Sequence, residues 1–233
     1  MSGQAIPTRG APDADPSRVI VTALRPYLVR VRRTKIAILV GYLATIAALY
    51  IVADPPAWLV LGLSALAVIA AVKGAVLVIP PEVRALLPRL RRVRARQDRW
   101  LRHVVGLDGR TDPAVVLARL AALDPDRLTV MDRFEIVVIA LLRHEPAIVA
   151  RFDPPASDDE PAHVRAVRAY AEAFGSIESD PVGAIRRLDG IDVSGLDPDQ
   201  RERWIDSVAM ARAYAAAVRG DDVIAALADA WAT

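Results

Sequence analysis

The chain contains no cysteine, no asparagine, only two lysines (Lys35 and Lys73) beside 28 arginines, and 5% aromatic residues. Without cysteine, a disulfide framework, a thiolate zinc site, an iron–sulfur cluster and thiol catalysis are excluded. The preference for arginine over lysine, together with abundant alanine, points to a GC-rich, bacterial coding sequence. The three histidines, His103, His144 and His163, are too far apart for a local metal motif. There is no H-E-x-x-H, no phosphate-binding Walker loop, no G-x-G-x-x-G and no G-x-S-x-G. The acidic run at 158–160 lacks the central glycine and terminal glutamate of a calcium-binding loop. No residue carries a catalytic expectation, and neither an enzyme nor a cofactor or metal is expected.

What is abundant is apolar. Hydrophobic residues make up 54% of the 233 residues and the mean hydropathy is +0.28. Beside an ordinary 25% of charged residues, such a value requires apolar residues to be concentrated locally. They lie in two runs. Residues 36–53 carry no charge, and after Asp54-Pro55-Pro56 the stretch 57–79 carries only Lys73. A helix of about 20 residues rises roughly 30 Å, the thickness of a hydrocarbon core, so each run is long enough to span. The three-residue connection predicts an antiparallel transmembrane hairpin over 36–79, terminated by Pro80-Pro81.

Orientation follows from the flanks. Residues 18–35 form a basic juxtamembrane segment without an acid, and residues 82–102 hold eight arginines against Glu82 and Asp98. Positive flanks stay inside, so both termini are expected in the cytoplasm of a bacterial inner-membrane protein. Lys73 is placed to snorkel toward the inner interface. Arg30, Arg32, Arg33 and Lys35 before the hairpin, and Arg91, Arg92, Arg94 and Arg96 on an Arg-rich membrane-proximal helix over 82–102, are expected to face anionic lipid headgroups. Nucleic acid is not an expected partner, since no helix-turn-helix or aromatic-interleaved sheet pattern accompanies the arginines. Residues 1–17, with Pro7, Pro12 and Pro16, read as a disordered tail. Small residues at four-residue spacing, Ala37/Gly41/Thr45 and Ala67/Ala71/Ala75, offer faces for close helix approach.

Residues 103–233 change to helical periods broken by short turns. Four related turns begin at Arg110, Arg143, Glu178 and Arg219, spaced 33, 35 and 41 residues apart. Asp112-Pro113 and Asp180-Pro181 combine an amide-accepting cap with a proline that needs no amide at the first helical position. Helix pairs are predicted at 98–109/113–122, 127–143/146–152, 161–177/181–189 and 198–219/222–231. The acidic stretch 153–160 divides them into two groups, which leaves a non-repetitive helical bundle as the alternative.

A helix pair recurring near 34 residues resembles the tetratricopeptide repeat. Ala213, Ala225 and Ala232 around a Gly-Asp turn, Ala184 in the preceding pair and Trp100 in the first carry the resemblance. Glu172, Val104, Val116, Val137 and Val149 stand where that family has small residues. The resemblance implies an all-α, α-solenoid domain whose first helices line a concave surface. It would place Met131, Phe134, Val138, Leu141, Met210 and Tyr214 there as partner-binding residues; ordinary core packing is the other account of such a stripe. The function expected is a membrane-anchored adaptor or scaffold presenting a surface to an unknown protein partner. The runner-up is an oligomeric two-span pore or channel accessory subunit, a homo-oligomer of hairpins gated by the helical domain.

The net charge of +2 is a cancellation. Residues 18–102 carry +12, from 15 basic residues against Asp54, Glu82 and Asp98, whereas residues 103–233 carry −9, from 14 basic against 23 acidic. A basic membrane-facing module is joined to an acidic one.

Overall fold

A computed structural model describes residues 16–52, 55–153 and 161–232, and every regular element among them is helical. In order these are α1 (Pro16–Val52), α2 (Ala57–Leu77), α3 (Pro81–Trp100), α4 (Pro113–Ala121), α5 (Val130–Leu142), α6 (Pro146–Phe152), α7 (Ala162–Gly175), α8 (Pro181–Asp189), α9 (Pro198–Arg219) and α10 (Val223–Ala232). Packing divides the chain into two compact units, one of Thr22–Leu87 and one of residues up to Val21 together with Pro88–Thr233. Most of the expected tail, 1–15, lies outside the described residues, as do Asp54 and 154–160; Pro16 and Ser17 already belong to α1.

In the first unit α1 and α2 pair as an antiparallel hairpin. The Tyr42 hydroxyl lies 2.6 Å from Ser64 Oγ, and a Cβ on Gly74 would stand 3.2 Å from Ile38 Cδ1 and 3.7 Å from Thr34 Cγ2. The lower-numbered partner descends on α1 as the other ascends on α2, which only an antiparallel register permits. The contact face of α1 therefore runs through Thr34, Ile38 and Tyr42, all half-buried. Ala37, Gly41 and Thr45 instead lie on the exposed side; a Cβ at Gly41 would meet nothing within 4 Å, and Thr45 Oγ1 donates to the Gly41 carbonyl of its own helix. On α2 Ala67, Ala71 and Gly74 are half-buried, while the side chain of Ala75, the third residue of the expected stripe, lies outside the described residues. None of the residues in the apolar window of either helix is buried, and both helices are long and apolar enough to cross a membrane. Leu43 is 55% exposed, Leu61 70% and Leu66 61%, so the apolar side chains of these helices are not covered by the rest of the described chain.

The second unit grows from well-capped helices. Asp112 accepts from the Ala114 amide ahead of Pro113, Asp180 from the Gly183 amide ahead of Pro181, and Asp222 from the amides of Ile224 and Ala225. Glu145 makes no such side-chain bond before Pro146. Capping boxes at Thr129/Asp132 and Asp197/Gln200 start α5 and α9. Each satisfies helix-end amides that would otherwise be orphaned. α5 packs with α6, α7 with α8 and α9 with α10, while α5 meets α7 and α8 meets α9. Three of the four expected pairs are present. The first is different: residues 98–109 are no separate helix but the end of α3, followed by a π-turn over Leu101–Val105 that stops at Gly106 in the left-handed region (φ 74°). Of the small residues that carry the repeat resemblance, Ala184 and Ala213 are wholly buried, whereas Ala225 and Ala232 are exposed.

Two apolar clusters fill this unit. The first gathers five of the chain's 12 aromatic residues. Tyr170 packs edge-on to Phe134 (5.4 Å between centroids) and Trp204 (5.5 Å), and Phe174 stacks on Tyr214 at 5.7 Å. The second joins Trp100, Leu101, Leu120, Ile136, Ile139, Ile148 and Phe152. Helix α5 supplies both clusters: Phe134 and Val138 point one way, Ile136, Val137, Ile139 and Ala140 the other.

Candidate functional site

Helix α3 is the most heavily charged element, and its arginines divide into two sets. From Pro88 onward Arg89, Val93, Arg96 and Trp100 recur at three- and four-residue steps, which places them along one side. That side is turned into the helical unit. Arg89 Nε donates to Asp206 Oδ1 at 3.1 Å, and Arg96 Nη2 donates to Asp206 Oδ2 at 2.7 Å. Arg89 also donates from Nη1 to the Trp231 carbonyl (3.3 Å) and lies 5.1 Å over the Trp231 ring. One helical turn past Arg96, Trp100 Nε1 donates to Asp132 Oδ1 at 2.8 Å, a carboxylate already engaged in the α5 capping box. Thus α3 is fastened to α5, α9 and α10 by polar contacts whose acceptors all come from the acidic part of the chain.

Asp206 is only 3% exposed. Such a carboxylate is tolerable only when paired and hydrogen-bonded, and here each oxygen receives a guanidinium. Nearby, Glu135 Oε1 is 3.7 Å from Arg203 Nη1. Burial pushes the Glu135 carboxyl above its ordinary range, with Arg203 and Arg96 opposing. The Tyr170 hydroxyl, raised first by burial and then by the charge of Glu135, donates to the Ser207 carbonyl at 3.1 Å and stays protonated.

Expected lipid-facing residues Arg30, Arg32, Arg33 and Lys35 on α1, and Arg91, Arg92 and Arg94 on α3, are exposed. Arg96 is not among them: its guanidinium is committed to Asp206, and the four-residue periodicity that the charge count ignored explains why.

The six expected partner-binding residues do not form one surface. Phe134 (1% exposed), Val138 (8%) and Tyr214 (4%) are core, because α7 and α9 cover the face of α5 that a concave surface would have left open. Met131, Leu141 and Met210 are half-buried. Leu141 and Tyr214 come together at a shallow cleft of about 290 Å³ lined also by His144, Glu145, Pro146, Val149, Phe174, Gly175 and Glu178. Its polar end is built by the α5–α6 turn. His144 sits there at φ 54°, a left-handed conformation that non-glycine residues seldom adopt, with Nδ1 3.8 Å from Glu178 Oε1. Tyr214 donates its hydroxyl to the same oxygen at 2.6 Å; burial and then this bond raise the phenol. The cleft combines the apolar walls of Leu141, Pro146, Val149 and Phe174 with a polar corner of His144, Glu145, Glu178 and Tyr214.

No family model, curated protein or solved structure matches this chain. Function must therefore be argued from the geometry. Among the described residues no group of three or more His, Asp and Glu is placed to hold a metal ion. The Asp206 cluster escaped the sequence reading, since its members are 110 and 117 positions apart. One local signal existed: Asp206 interrupts the run Trp204-Ile205-Asp206-Ser207-Val208 in mid-helix, where aspartate has no helix-forming reason to be.

Proposed function

We propose that the chain is a bacterial inner-membrane adaptor in which the α1–α2 hairpin spans the bilayer, with both termini cytoplasmic, and the helical unit presents a binding surface to a protein partner. The observation that carries this reading is the exposed apolar surface of the two helices, too extensive for water, in one chain with stacked helix pairs. Stacked pairs of this kind, akin to tetratricopeptide repeats, bind partners through preformed helical surfaces. The cleft at Leu141, His144 and Tyr214 is the anchoring point we assign to that partner.

Because the chain lacks cysteine, topology is testable with single cysteines in the full-length protein. Pro56→Cys in intact inner-membrane spheroplasts should react with a membrane-impermeant maleimide, and Ser179→Cys only after permeabilisation. Labelling of both sites in intact cells, or release of the protein by alkaline carbonate, overturns the anchor. A photo-crosslinking residue at Leu141 should form a discrete adduct in native membranes that Glu178→Arg abolishes; no adduct overturns the adaptor. The pore alternative draws on Lys73, exposed on α2, and requires vesicle conductance that Lys73→Leu alters.

A further inference from the structure

The two sets of arginines on α3 have different tasks. With Arg89 and Arg96 spent on Asp206, Arg91, Arg92, Arg94 and Arg99 occupy the arc across the helix, and all four are exposed. No ion pair among the described residues engages them. One carboxylate, Asp98, lies on the same side and is half-buried. We propose that this arc is a docking strip for anionic phospholipid headgroups, so that the helical unit touches the bilayer surface through α3 in addition to its covalent anchor.

Three observations favour lipid as the occupant. The strip's exposed charges are all arginine, whose fork pairs with phosphate in two-point fashion. It begins within 14 residues of the end of α2, at Arg91 after Leu77, so the chain itself delivers it to an interface where anionic headgroups are concentrated. Fastening the opposite side of α3 to Asp206 also fixes the azimuth of the helix, which keeps the strip pointing outward instead of averaging around the axis. Each arginine close to an anionic leaflet strengthens attachment about fivefold, and the effect fades within a Debye length of roughly 10 Å at 0.1 M salt. A strip of four is therefore enough to switch the contact on and off with lipid charge. The inference rests on the membrane reading above but not on the identity of any protein partner.

The test uses the full-length chain in nanodiscs, with a polarity-sensitive dye on Ala95→Cys, an exposed position between the four arginines, and a control dye on Ser179→Cys. With a third of the lipid as phosphatidylglycerol, aqueous quenching at position 95 should fall about threefold relative to pure phosphatidylcholine discs, and recover in high salt. Quenching at 179 should not change. Arg91→Glu combined with Arg94→Glu should restore full quenching in the anionic discs, while Arg91→Lys with Arg94→Lys should keep most of the protection. Equal quenching in both kinds of disc overturns the strip and leaves the anchor standing; failure of the wild-type chain to enter discs overturns the anchor itself. Protection by added RNA in neutral discs, exceeding that given by anionic lipid, overturns lipid as the occupant.

Discussion

Replacing Asp206 by alanine is the sharpest probe of how the helical unit is held together. The side chain is 5% exposed and receives Arg89 at 3.1 Å and Arg96 at 2.7 Å. Removing the acceptor leaves two guanidiniums facing each other over a small cavity. Breaking a fully buried ion pair costs about 3–5 kcal/mol, and hydrogen bonds to charged groups contribute roughly 1.5–3 kcal/mol each. The guanidiniums keep 25% and 21% exposure, so water can reach them once freed, which argues for the lower end, about 3 kcal/mol. In a compact unit of 167 residues this corresponds to a fall in Tm of about 9 °C.

Thermal unfolding of the detergent-solubilised chain, followed by tryptophan fluorescence, reads this directly. Trp100, Trp204 and Trp231 all lie in the helical unit, and Trp58, 72% exposed on α2, supplies a constant background. Asp206→Asn, which keeps an acceptor but no charge, should lose about half as much. In a double-mutant cycle, Asp206→Ala and Arg96→Ala should be non-additive by at least about 1 kcal/mol. A Tm within about 1 °C of wild type, or additive losses, would refute the claim that this carboxylate fastens α3 to α9.

Other expectations follow from single contacts. Burial raises the Glu135 carboxyl above its ordinary value of 4.5, so the folded state retains a proton that the unfolded chain releases. That contribution is fully present below pH 4.5 and is lost as pH rises through the folded value; Glu135→Gln should remove this slope from the stability profile, and parallel profiles would contradict the buried, desolvated environment. Phe134→Ala deletes a ring that is 1% exposed and stacked at 5.7 Å on Trp204, at a cost of about 3–5 kcal/mol in denaturant unfolding. A loss below about 1 kcal/mol would mean that Phe134 lies on an open surface after all. Asp180→Ala removes the 2.8 Å cap on the Gly183 amide and should cost about 1 kcal/mol, largely recovered by Asp180→Asn.

Local grammar made most of the fold legible. Asp-Pro pairs announced the starts of α4 and α8, and uncharged runs announced α1 and α2. What escaped was whatever depends on which face a residue takes. The apolar stripe Phe134/Val138/Leu141 looked like a surface because its periodicity shows one face, whereas α5 is covered on two sides, with Ile136 and Val137 wholly buried as well. The run Phe-Glu-Ile-Val-Val-Ile-Ala-Leu-Leu, nearly without polar interruption, is the pattern of a central helix rather than of a concave lining. Likewise the small residues Ala37, Gly41 and Thr45 have the right spacing for helix contact but the wrong azimuth, which Tyr42–Ser64 and Gly74–Ile38 settle.

The segregation of charge along the sequence acquires a mechanical reason from the same helix. A basic stretch beside an acidic domain looks like a boundary between two modules, one for lipid and one for protein. Yet Arg89, Arg96 and Trp100 spend their donors on Asp206 and Asp132, so the end of the basic stretch is packed inside the acidic unit. Composition follows what each segment shows to solvent, and a pair such as Arg96–Asp206, buried and 110 residues apart, leaves no trace in it. An arginine helix that matches acids on one side and exposes cations on the other has its azimuth set by Asp206, which holds Arg89 and Arg96, and under the proposed lipid contact that azimuth decides which arginines meet the headgroups. Loosening Asp206 should therefore weaken lipid dependence at Ala95 as well as stability, whereas Phe134→Ala at matched destabilisation below the unfolding transition should weaken stability alone.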